Sequence, residues 1–557
     1  MLRRSRPDGP GPIAVCAACL LVTLPATAAP PKYRLTVLSA PGWDDVWPVA
    51  INNAGHVMGT FKPEEGGGRH TFLRRDGTTI DIKPTGEFYV LGTAMNDAGV
   101  IVGTAETLSD LATFKFEDDV FARLEIPDTN RPTPTDINEN NQIVGWGSDP
   151  ESGAYRGYLY HESTVEFLPN GPFNWGIQPA AINESGAIVG RGLNDSGSWA
   201  FFHQNGETID IGALGRRSAL ASAINGPGRV TGAVDAGYGG SETAFVRAPN
   251  GIMKKLGTLG GTESSAFDIN GAGSIVGYGV TRSGDEHAFL HKAGVMMDLG
   301  TLGSAKSHAR DITDNGQVVG IVTDDYTLAT SRVFIHGVDG TRTRDLNDLI
   351  APTDPLKPYV RLNWIPFRAA INEYGQIAAL GFDSRKNRMR AYLVSPADTT
   401  PPVVTASVAG TTGDNGWYTT DVQVSWVITD PQAPIGARIG CTTEALTADS
   451  PGSEFTCQAK SVGGASPVTG VTVKRDATKP AIAVPRPKNG AVYSRNQLVS
   501  ASYQCSDLTS GIQSCTGTVS PGSLIDTSQK VTDAIFRVVA TDQAGLKRIV
   551  TRTYSVD

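Results

Sequence analysis

Ala181-Ile-Asn-Glu-Ser-Gly-Ala-Ile-Val-Gly190 is one copy of a phrase that occurs eight times in this 557-residue chain. A copy has an Ile or Met, usually an Asn, two variable residues, a Gly, and a small apolar run ending in Gly. The copies begin at Ala50, Ala94, Asp136, Ala181, Ala223, Asp268, Asp311 and Ala370. Their Asn or Thr positions lie 42 to 45 residues apart before a longer last step, which is the period of a four-stranded propeller blade.

The turn that this phrase forms explains its residue types. Asn at the first position of a type I turn and Gly at the fourth favour a hairpin, because Gly accepts the left-handed conformation that reverses the chain. In the third copy Asn141 replaces the Gly, and Asn tolerates that conformation best after Gly. Two strands on, each repeat has one aromatic residue: Phe72, Phe114, Tyr158, Phe201, Phe245, Phe289, Phe334 and Tyr392.

The last repeat lacks its fourth strand, and the N-terminus supplies a candidate for it. Arg34-Leu-Thr-Val-Leu-Ser precedes the first phrase as Lys255-Leu-Gly-Thr-Leu-Gly precedes the sixth. We therefore predict an all-β fold, with an eight-bladed β-propeller over residues 30–397 that is closed by an N-terminal strand and leaves only short protected edges. A parallel β-helix is the alternative, although its rungs are usually shorter and it needs no borrowed strand.

After Val394 the composition changes to Thr, Ser, Val, Pro and Gly. Asp398-Thr-Thr-Pro-Pro and Asp476-Ala-Thr-Lys-Pro resemble two copies of one domain start, and short alternating strands follow each. These features predict two small β-sandwich domains, 398–475 and 476–557. Each contains two cysteines, which in an exported chain favours the disulfides Cys441–Cys457 and Cys505–Cys515.

The first 29 residues are typical of a signal peptide. Arg3, Arg4 and Arg6 precede an apolar run over residues 13–24 that is too short to span a bilayer, and small residues follow at 26–29. We therefore expect a secreted or cell-surface protein, with the periplasm as an alternative, no transmembrane segment and a monomeric state. The formal net charge of −8 disfavours nucleic acid and anionic membranes as partners.

Two resemblances can be stated on these residues. The segments Glu286-His-Ala-Phe-Leu-His, Met297-Asp-Leu-Gly-Thr-Leu-Gly and Asp311-Ile-Thr-Asp-Asn-Gly-Gln-Val-Val-Gly resemble the repeat of the HAF family of probable extracellular repeat proteins. That resemblance implies secretion and carries no catalytic residues. Asn415-Gly-Trp-Tyr-Thr-Thr-Asp-Val and Ala540-Thr-Asp-Gln-Ala-Gly resemble bacterial Ig-like domains.

Catalytic signatures are missing from the sequence. It has no Gly-x-Ser-x-Gly elbow, no His-Glu-x-x-His helix, no phosphate loop and no EF-hand loop. His203, His291 and His336 each follow their blade's aromatic residue by two positions, so they occupy equivalent places on separate blades rather than one metal site. We predict no catalytic residues, no metal and no cofactor.

A binding surface is the better functional hypothesis. The loops that enter the innermost strands vary while the strands repeat, and variable loops on a rigid scaffold commonly carry function. The predicted ligand-binding residues in these loops are Trp43, Asp44, Asp45, Trp47, Tyr89, Trp175, Arg216 and Trp364, with Phe88, Phe173, Asn174, Arg217, His308 and Arg310 nearby. The competing interpretation is that the rings pack the seams between blades, since large aromatics dominate buried area.

Three functions follow in order of preference. The leading hypothesis is a secreted binding or adhesion protein that recognises an extracellular carbohydrate or peptide through one propeller face. A carbohydrate-active enzyme, a glycosidase or lyase, comes second and requires two carboxylates that meet in the channel. A structural component of the envelope comes third.

Overall fold

The structure is a computed structural model. It describes residues 32–557 except residues 39, 41, 108–109, 217, 236–240 and 339–341. The signal peptide predicted for residues 1–29 lies outside the described residues. The described chain is all-β, with one short helix, and none of its helices is long and apolar enough to cross a membrane.

Strand β1 (Tyr33–Val37) opens the described chain, and eight four-stranded antiparallel sheets can be traced among the described residues. Sheets 1 to 4 contain, in order along the chain, β2 (Trp43–Ile51), β3 (Val57–Pro63), β4 (His70–Arg75) and β5 (Thr78–Ile82); β6 (Tyr89–Met95), β7 (Ile101–Glu106), β8 (Leu111–Glu117) and β9 (Val120–Leu124); β10 (Asn130–Ile137), β11 (Ile143–Ser148), β12 (Tyr155–His161) and β13 (Thr164–Phe167); β14 (Ile177–Ile182), β15 (Ile188–Asn194), β16 (Gly197–Gln204) and β17 (Glu207–Asp210).

Sheets 5 to 8 follow the same plan, with helix α1 after the seventh and β1 returning in the eighth. They contain β18 (Ser218–Ile224), β19 (Val230–Asp235), β20 (Thr243–Arg247) and β21 (Met253–Lys255); β22 (Gly260–Ile269), β23 (Ile275–Thr281), β24 (Glu286–Lys292) and β25 (Val295–Asp298); β26 (Lys306–Ile312), β27 (Val318–Thr323), β28 (Arg332–His336) and β29 (Thr343–Asp345), then α1 (Leu346–Leu349); β30 (Val360–Trp364), β31 (Ile377–Asp383), β32 (Arg388–Pro396) and β1.

The row of sheets closes on itself. The first strand of each sheet, here called the inner strand, contacts the inner strand of the next sheet from β2 through β26. Strand β28 then contacts β30, while β31 and β32 contact β2. The arrangement is therefore propeller-like, with consecutive sheets packed face to face around a centre.

Strand β1 completes the eighth sheet, as the sequence predicts. It runs antiparallel to β32, with Tyr33 opposite Pro396 and Val37 opposite Tyr392. The amide of Leu35 also donates to Asp354 Oδ2 at 2.8 Å, which ties β1 to the loop before β30. The predicted pairing of the N-terminal segment with the strand near Tyr392 is confirmed; the last residue of that segment, Ser39, lies outside the described residues.

The aromatic residue of each third strand forms the core of its sheet. All eight rings are fully buried, and most lie opposite the Gly that ends the repeated phrase, as Phe72 lies opposite Gly59. A Cβ on Gly59 would approach the Phe72 ring to 2.5 Å. The Gly is therefore required by packing, because a larger residue would displace the ring.

The asparagine of the phrase holds both its own turn and the neighbouring sheet. In the first copy Asn52 Oδ1 accepts the amide of His56 at 2.9 Å, and its Nδ2 donates to the carbonyl of Asn96 in the next copy at 3.0 Å. The same side-chain-to-carbonyl bond joins consecutive turns at Asn96–Asn138, Asn138–Asn183, Asn183–Asn225, Asn225–Asn270, Asn270–Thr313 and, across the closure, Asn372–Asn52. We call this series the asparagine ring.

One link of the ring is made differently. Thr313 has no side-chain amide, so the hydrogen bonds between its turn and the last turn are made with Glu373. Its Oε1 accepts the amide of Asp314 at 2.7 Å, and its backbone carbonyl accepts Asn315 Nδ2 at 3.3 Å. The turns of all eight sheets are thus joined in a closed circle of hydrogen bonds at one end of the inner strands, the turn end.

Two further β units follow. Their strands are β33 (Val403–Ala409), β34 (Trp417–Tyr418), β35 (Val422–Thr429), β36 (Ala437–Ile439), β37 (Glu444–Leu446), β38 (Ser450–Ser461), β39 (Gly464–Ala465), β40 (Thr469–Arg475), β41 (Ala481–Arg486), β42 (Ala491–Tyr493), β43 (Ser502–Ser506), β44 (Ile512–Gly517), β45 (Val531–Asp542) and β46 (Lys547–Val556). The first unit has sheets β33–β35–β37 and β34–β40–β38–β36 with β39, and the second has β41–β43 and β42–β46–β45–β44.

The predicted disulfides are confirmed. Cys441 is bonded to Cys457 within the first C-terminal unit, and Cys505 to Cys515 within the second. Each bridge closes a short loop inside one unit, as the spacing of the cysteines indicates.

The first C-terminal unit attaches to the turn end. Asn315 Nδ2 donates to the carbonyl of Ile435 at 2.8 Å, and Arg438 Nη1 donates to Asn315 Oδ1 at 3.3 Å. Asn315 belongs to the turn after β26. Because an inner strand begins at one end and finishes at the other, the loops that precede the inner strands lie at the opposite end, the entry-loop end.

The asparagine ring yields a stability prediction. In Asn225→Ala the amide of Arg229 loses its 2.8 Å acceptor and the carbonyl of Asn270 loses its 2.9 Å donor. Because Asn225 is buried, we expect a loss of about 2 kcal/mol in the free energy of unfolding. Chemical denaturation measures it. The control Asn250→Ala, at an exposed hairpin turn, should cost less than about 0.5 kcal/mol; equal losses would contradict the special role of the ring.

Candidate functional site

The inner strands surround two neighbouring cavities. One, of about 370 Å³, is bounded by β2, β6, β10 and residues 364–369. We call it the channel cavity. The other, of about 450 Å³, is bounded by β6, β10, β14 and β18. Thr93, Thr135 and Arg368 line both, so the two cavities are adjacent.

A segment of sheet 8 crosses the centre between them. In sheet 4 only Ala180 separates the paired inner-strand residues Pro179 and Ala181, whereas residues 365–369 separate Trp364 from Ala370 in sheet 8. From this crossing segment Arg368 Nη1 donates to the carbonyl of Ala180 at 2.8 Å, and its Nη2 donates to that of Ser222. Those carbonyls belong to sheets 4 and 5, on the far side of the ring, so the segment spans the centre.

The crossing segment also presents an exposed ring on a buried cation. Phe367 is 63% exposed, and the guanidinium carbon of Arg310 lies 3.6 Å from the centre of its ring. Arg310 is buried, and its Nε and Nη1 have no hydrogen-bond partner among the described residues. Burial lowers the pKa of Arg310 to about 10, so the side chain is cationic at neutral pH.

Two of the predicted tryptophans come together beside the channel cavity. Trp364 lines the cavity, and the Trp47 ring meets it edge to face at 5.4 Å. Trp47 Nε1 donates to Asp45 Oδ1 at 2.6 Å, and Asp45 also accepts Arg69. The orientation of Trp47 is therefore set by its own loop.

Trp43 and Asp44 are placed differently. The Trp43 ring stacks on Phe61, with centroids 3.7 Å apart and an interplanar angle of 12°. It packs against the buried cluster shared by sheets 1 and 8, as the seam interpretation predicts for this ring. Asp44 is exposed and lies 3.6 Å from the guanidinium of Arg388.

The other predicted residues make separate local contacts. Tyr89 meets Phe88 edge to face at 4.7 Å, Trp175 Nε1 donates to Asp195 Oδ1 at 2.7 Å, and Arg216 Nη2 reaches Thr243 Oγ1 at 3.4 Å. No hydrogen bond or ring contact between described residues joins these three to Trp47 or Trp364. Arg217 lies outside the described residues.

A polar cluster that the sequence did not reveal lies between sheets 6 and 7 at the entry-loop end. Glu286 accepts Lys306 Nζ at 2.8 Å and the Tyr326 hydroxyl, and its Oε2 lies 2.9 Å from His308 Nε2. The Tyr278 ring stacks on His308 with centroids 4.5 Å apart. We call these five residues the Glu286 cluster.

The electrostatics of the cluster follow from its contacts. Partial burial by itself would raise the pKa of Glu286, but the hydrogen bonds from Lys306, Tyr326 and His308 outweigh it and lower the pKa to about 2. Burial lowers the pKa of His308, although Glu286 acts in the opposite direction. At neutral pH the cluster therefore contains an ionised carboxylate whose oxygens already have partners.

The cluster gave a weak sequence signal. Lys306, His308 and Arg310 alternate along β26, so they share one face of that strand. Glu286, Tyr278 and Tyr326 come from other strands and a loop, and nothing in their spacing predicts that they meet. A search for polar residues at every second position of an inner strand would have found part of the set.

Aspartates inside the phrase have a structural explanation. Asp136 Oδ2 accepts the amide of Ile182 at 2.9 Å, Asp268 Oδ2 accepts that of Ile312 at 3.1 Å, and Asp311 Oδ2 accepts those of Ala370 and Ile371 at 2.6 and 3.0 Å. Each carboxylate thus ties its inner strand to the next. Burial raises the pKa of Asp136 to about 6, and burial together with Asp268 raises the pKa of Asp311.

Comparison with known proteins gives similarities of structure alone. No protein-family model matches the chain, and no curated protein matches it. Similar solved structures include a prolyl endopeptidase, with 10% identity over 69% of this chain and 56% of that chain and a TM-score of 0.40. The chain thus spans little more than half of that enzyme's length.

Two further solved structures are similar at comparable levels. The β-propeller domain of the Trilobed protease from Pyrococcus furiosus has 8% identity over 55% of this chain and 99% of that chain, with a TM-score of 0.36. TolB from Acinetobacter baumannii has 12% identity over 53% of this chain and 79% of that chain, with a TM-score of 0.28. Likeness at these identities carries nothing about activity.

The Glu286 cluster yields a pH prediction. Because the pKa of Glu286 is lowered to about 2, its stabilising contribution is complete above about pH 4.5 and is lost as the pH falls towards 2. Glu286→Gln should cost about 1 kcal/mol at pH 7, a figure discounted for partial exposure, and less at pH 3. Urea denaturation at pH 7, 5 and 3 measures the difference, with the exposed Glu151→Gln as control. A Glu286→Gln deficit that is constant with pH would contradict the assignment.

Proposed function

We propose that the protein is a secreted or cell-surface binding protein that recognises an extended peptide segment through the channel cavity. In this proposal the eight sheets are the blades of one propeller over residues 30–397. The units 398–475 and 476–557 are Ig-like domains that form a stalk, and residues 1–29 direct export. The two disulfides support an oxidising compartment.

The observation that carries the proposal is the crossing segment. Arg368 anchors it on the far side of the ring, so the segment divides the centre of the ring and forms one wall of the channel cavity. Trp364, Pro366 and Phe367 line that cavity together with Pro48 and Val49. An apolar recess of about 370 Å³ is the size that accepts one large side chain of a ligand.

The polar groups of the cavity favour a peptide over a sugar. Thr93 Oγ1 donates to the carbonyl of Pro134 at 3.0 Å, and Thr135 Oγ1 donates to that of Pro179 at 3.1 Å. Both Asp136 oxygens accept backbone amides. A carbohydrate needs several unpaired hydrogen-bonding groups, whereas an aromatic or aliphatic side chain needs mainly apolar walls.

A positive charge lies beside the cavity. Arg310 lies under Phe367, and its two buried nitrogens have no partner in the described structure, so its charge favours a ligand carboxylate near that ring.

A carbohydrate-active enzyme is less well supported. Asp268 and Asp311 interact with each other, which is the pairing that this alternative requires. However, Asp268 and Asp311 each hold the backbone amides of a neighbouring sheet. A carboxylate that is committed to the scaffold is not available to protonate a glycosidic oxygen or to attack a sugar.

The proposal predicts which variant loses binding. Selection from a random peptide library on the purified protein should enrich peptides that share an aromatic or large aliphatic residue. Phe367→Ala should weaken the enriched peptide about 10-fold, the loss of one aromatic contact, as measured by isothermal titration calorimetry. The matched control is Phe88→Ala, an exposed phenylalanine of an entry loop, which should bind like the wild type.

Two results would contradict the proposed peptide site. Circular dichroism and the melting temperature of Phe367→Ala establish that it remains folded. A folded Phe367→Ala variant that binds the enriched peptide as tightly as the wild type would place the ligand elsewhere. Binding to a glycan array that Phe367→Ala abolishes, without peptide enrichment, would replace the peptide by a carbohydrate.

A further inference from the structure

Three aspartates meet at the junction of the two C-terminal units. Asp476, Asp507 and Asp542 each offer one carboxylate oxygen, and these oxygens lie within 4.8 Å of one another. Asp476 and Asp542 are fully buried, and Asp507 is half-buried. We call them the aspartate triad. It is far from the channel cavity in sequence and belongs to the second unit.

One buried oxygen of the triad has no hydrogen-bond partner among the described residues. Asp542 Oδ1 accepts the amide of Leu546 at 2.8 Å, whereas its Oδ2 is buried and has no hydrogen-bond partner among the described residues. Asp507 uses its Oδ1 for the amides of Thr509, Ser510 and Gly511. The turns are therefore held by one oxygen of each of these two residues, and the second oxygen of Asp542 is left buried without a donor. Such a group is costly unless a positive charge compensates it.

The first C-terminal unit provides an internal comparison. Asp398 starts it as Asp476 starts the second, and Ser461 in Ala459-Lys-Ser-Val-Gly-Gly takes the place of Asp542 in Ala540-Thr-Asp-Gln-Ala-Gly. There the Ser461 hydroxyl donates to Asp398 Oδ2 at 2.9 Å, and the amide of Gly463 donates to the same oxygen at 2.9 Å. The first unit thus satisfies the Asp398 carboxylate with two donors, and the second has another anion in the place of the serine donor.

We propose that the aspartate triad binds one Ca²⁺ ion. Carboxylate oxygens are the ligands that hard divalent cations prefer, and Ca²⁺ accepts the irregular, partly bidentate arrangement that three aspartates and adjacent carbonyls or waters supply. The ion would give Asp542 Oδ2 the partner it lacks. The sequence prediction of no metal site rests on the histidines, whereas these three aspartates are 31 and 35 residues apart in sequence.

The position of the triad suggests what the ion does. The amide of Asp476 donates to the carbonyl of Tyr418 in the first unit at 2.9 Å. The loop after Asp542 contacts the same unit, since the backbone amide of Asp414 donates to the carbonyl of Ala544 at 3.0 Å and Asn415 Nδ2 to that of Gln543 at 2.9 Å. A bound ion would therefore fix the joint between the units as well as the second unit itself.

The test uses the whole protein after treatment with a chelator and removal of the chelator. Isothermal titration calorimetry with CaCl₂ should show one saturable site with a Kd of about 10⁻³ M or tighter, the range of extracellular calcium modules. Calorimetric melting should show a higher Tm for the transition of the C-terminal units in Ca²⁺ than in EDTA. MgCl₂ at equal concentration should bind more weakly.

The matched variant is Asp542→Ser, which places a serine beside Asp476 as Ser461 lies beside Asp398 in the first unit. It should fold, because the new hydroxyl can donate to Asp476, and it should lose both the calcium heat and the calcium-dependent rise in Tm. The control Asp526→Ser changes an exposed aspartate of the same unit and should bind like the wild type.

Three results would overturn the proposal. They are no heat and no change in Tm up to about 5 mM Ca²⁺, calcium binding by Asp542→Ser equal to that of the wild type, or Mg²⁺ binding as tight as Ca²⁺ binding. If Asp542→Ser fails to fold, the reciprocal variant Ser461→Asp tests the same ligand set. It should create a second calcium site in the first unit. Absence of that second site would contradict the proposed ligand set.

Discussion

The ring of asparagine amides is the constraint on which the other features of the sheets depend. Each amide closes its own turn and also donates to the next turn, so one side chain sets both the end of an inner strand and the offset between neighbouring sheets. A single such bond contributes only about 1 kcal/mol, but each buried partner left unsatisfied costs more than that. Because Asn372 donates back to Asn52, the condition must hold around the whole circle.

The same constraint separates the two ends of the ring. At the turn end the asparagine side chains link consecutive turns, and that end contacts the first C-terminal unit. At the entry-loop end no equivalent series links one loop to the next among the described residues, so each loop can carry its own chemistry. The crossing segment and the Glu286 cluster both occur at that end or at the centre, where insertions leave the ring intact. Rigidity at one end therefore permits variation at the other.

Much of the fold could be predicted because its determinants are local or repeated. The turn phrase, the third-strand aromatic residue, the pairing of β1 with β32 and both disulfides follow from patterns within one repeat or one unit. The candidate site could not be predicted in the same way. Trp43 and Trp47 are four residues apart on β2, but a register shift between Asp44 and Trp47 places an extra residue between them. Trp43 therefore stacks on Phe61, whereas Trp47 meets Trp364. A bulge of this kind leaves no mark in the alternation of residue types.

The carboxylates show how surroundings, rather than residue type, decide a role. Asp136, Asp268 and Asp311 accept backbone amides and join sheets. Glu286 is hydrogen-bonded to Lys306, Tyr326 and His308, and these bonds keep its carboxylate ionised. Asp542 has the same chemistry but one buried oxygen without a donor, in a unit whose sister domain has a serine at that position. The sequence lists these residues as equivalent acids. The hydrogen-bond donors around each oxygen distinguish the three roles, which are to join sheets, to form a polar cluster and to bind a cation. A buried carboxylate must be stabilised either by such donors or by a cation.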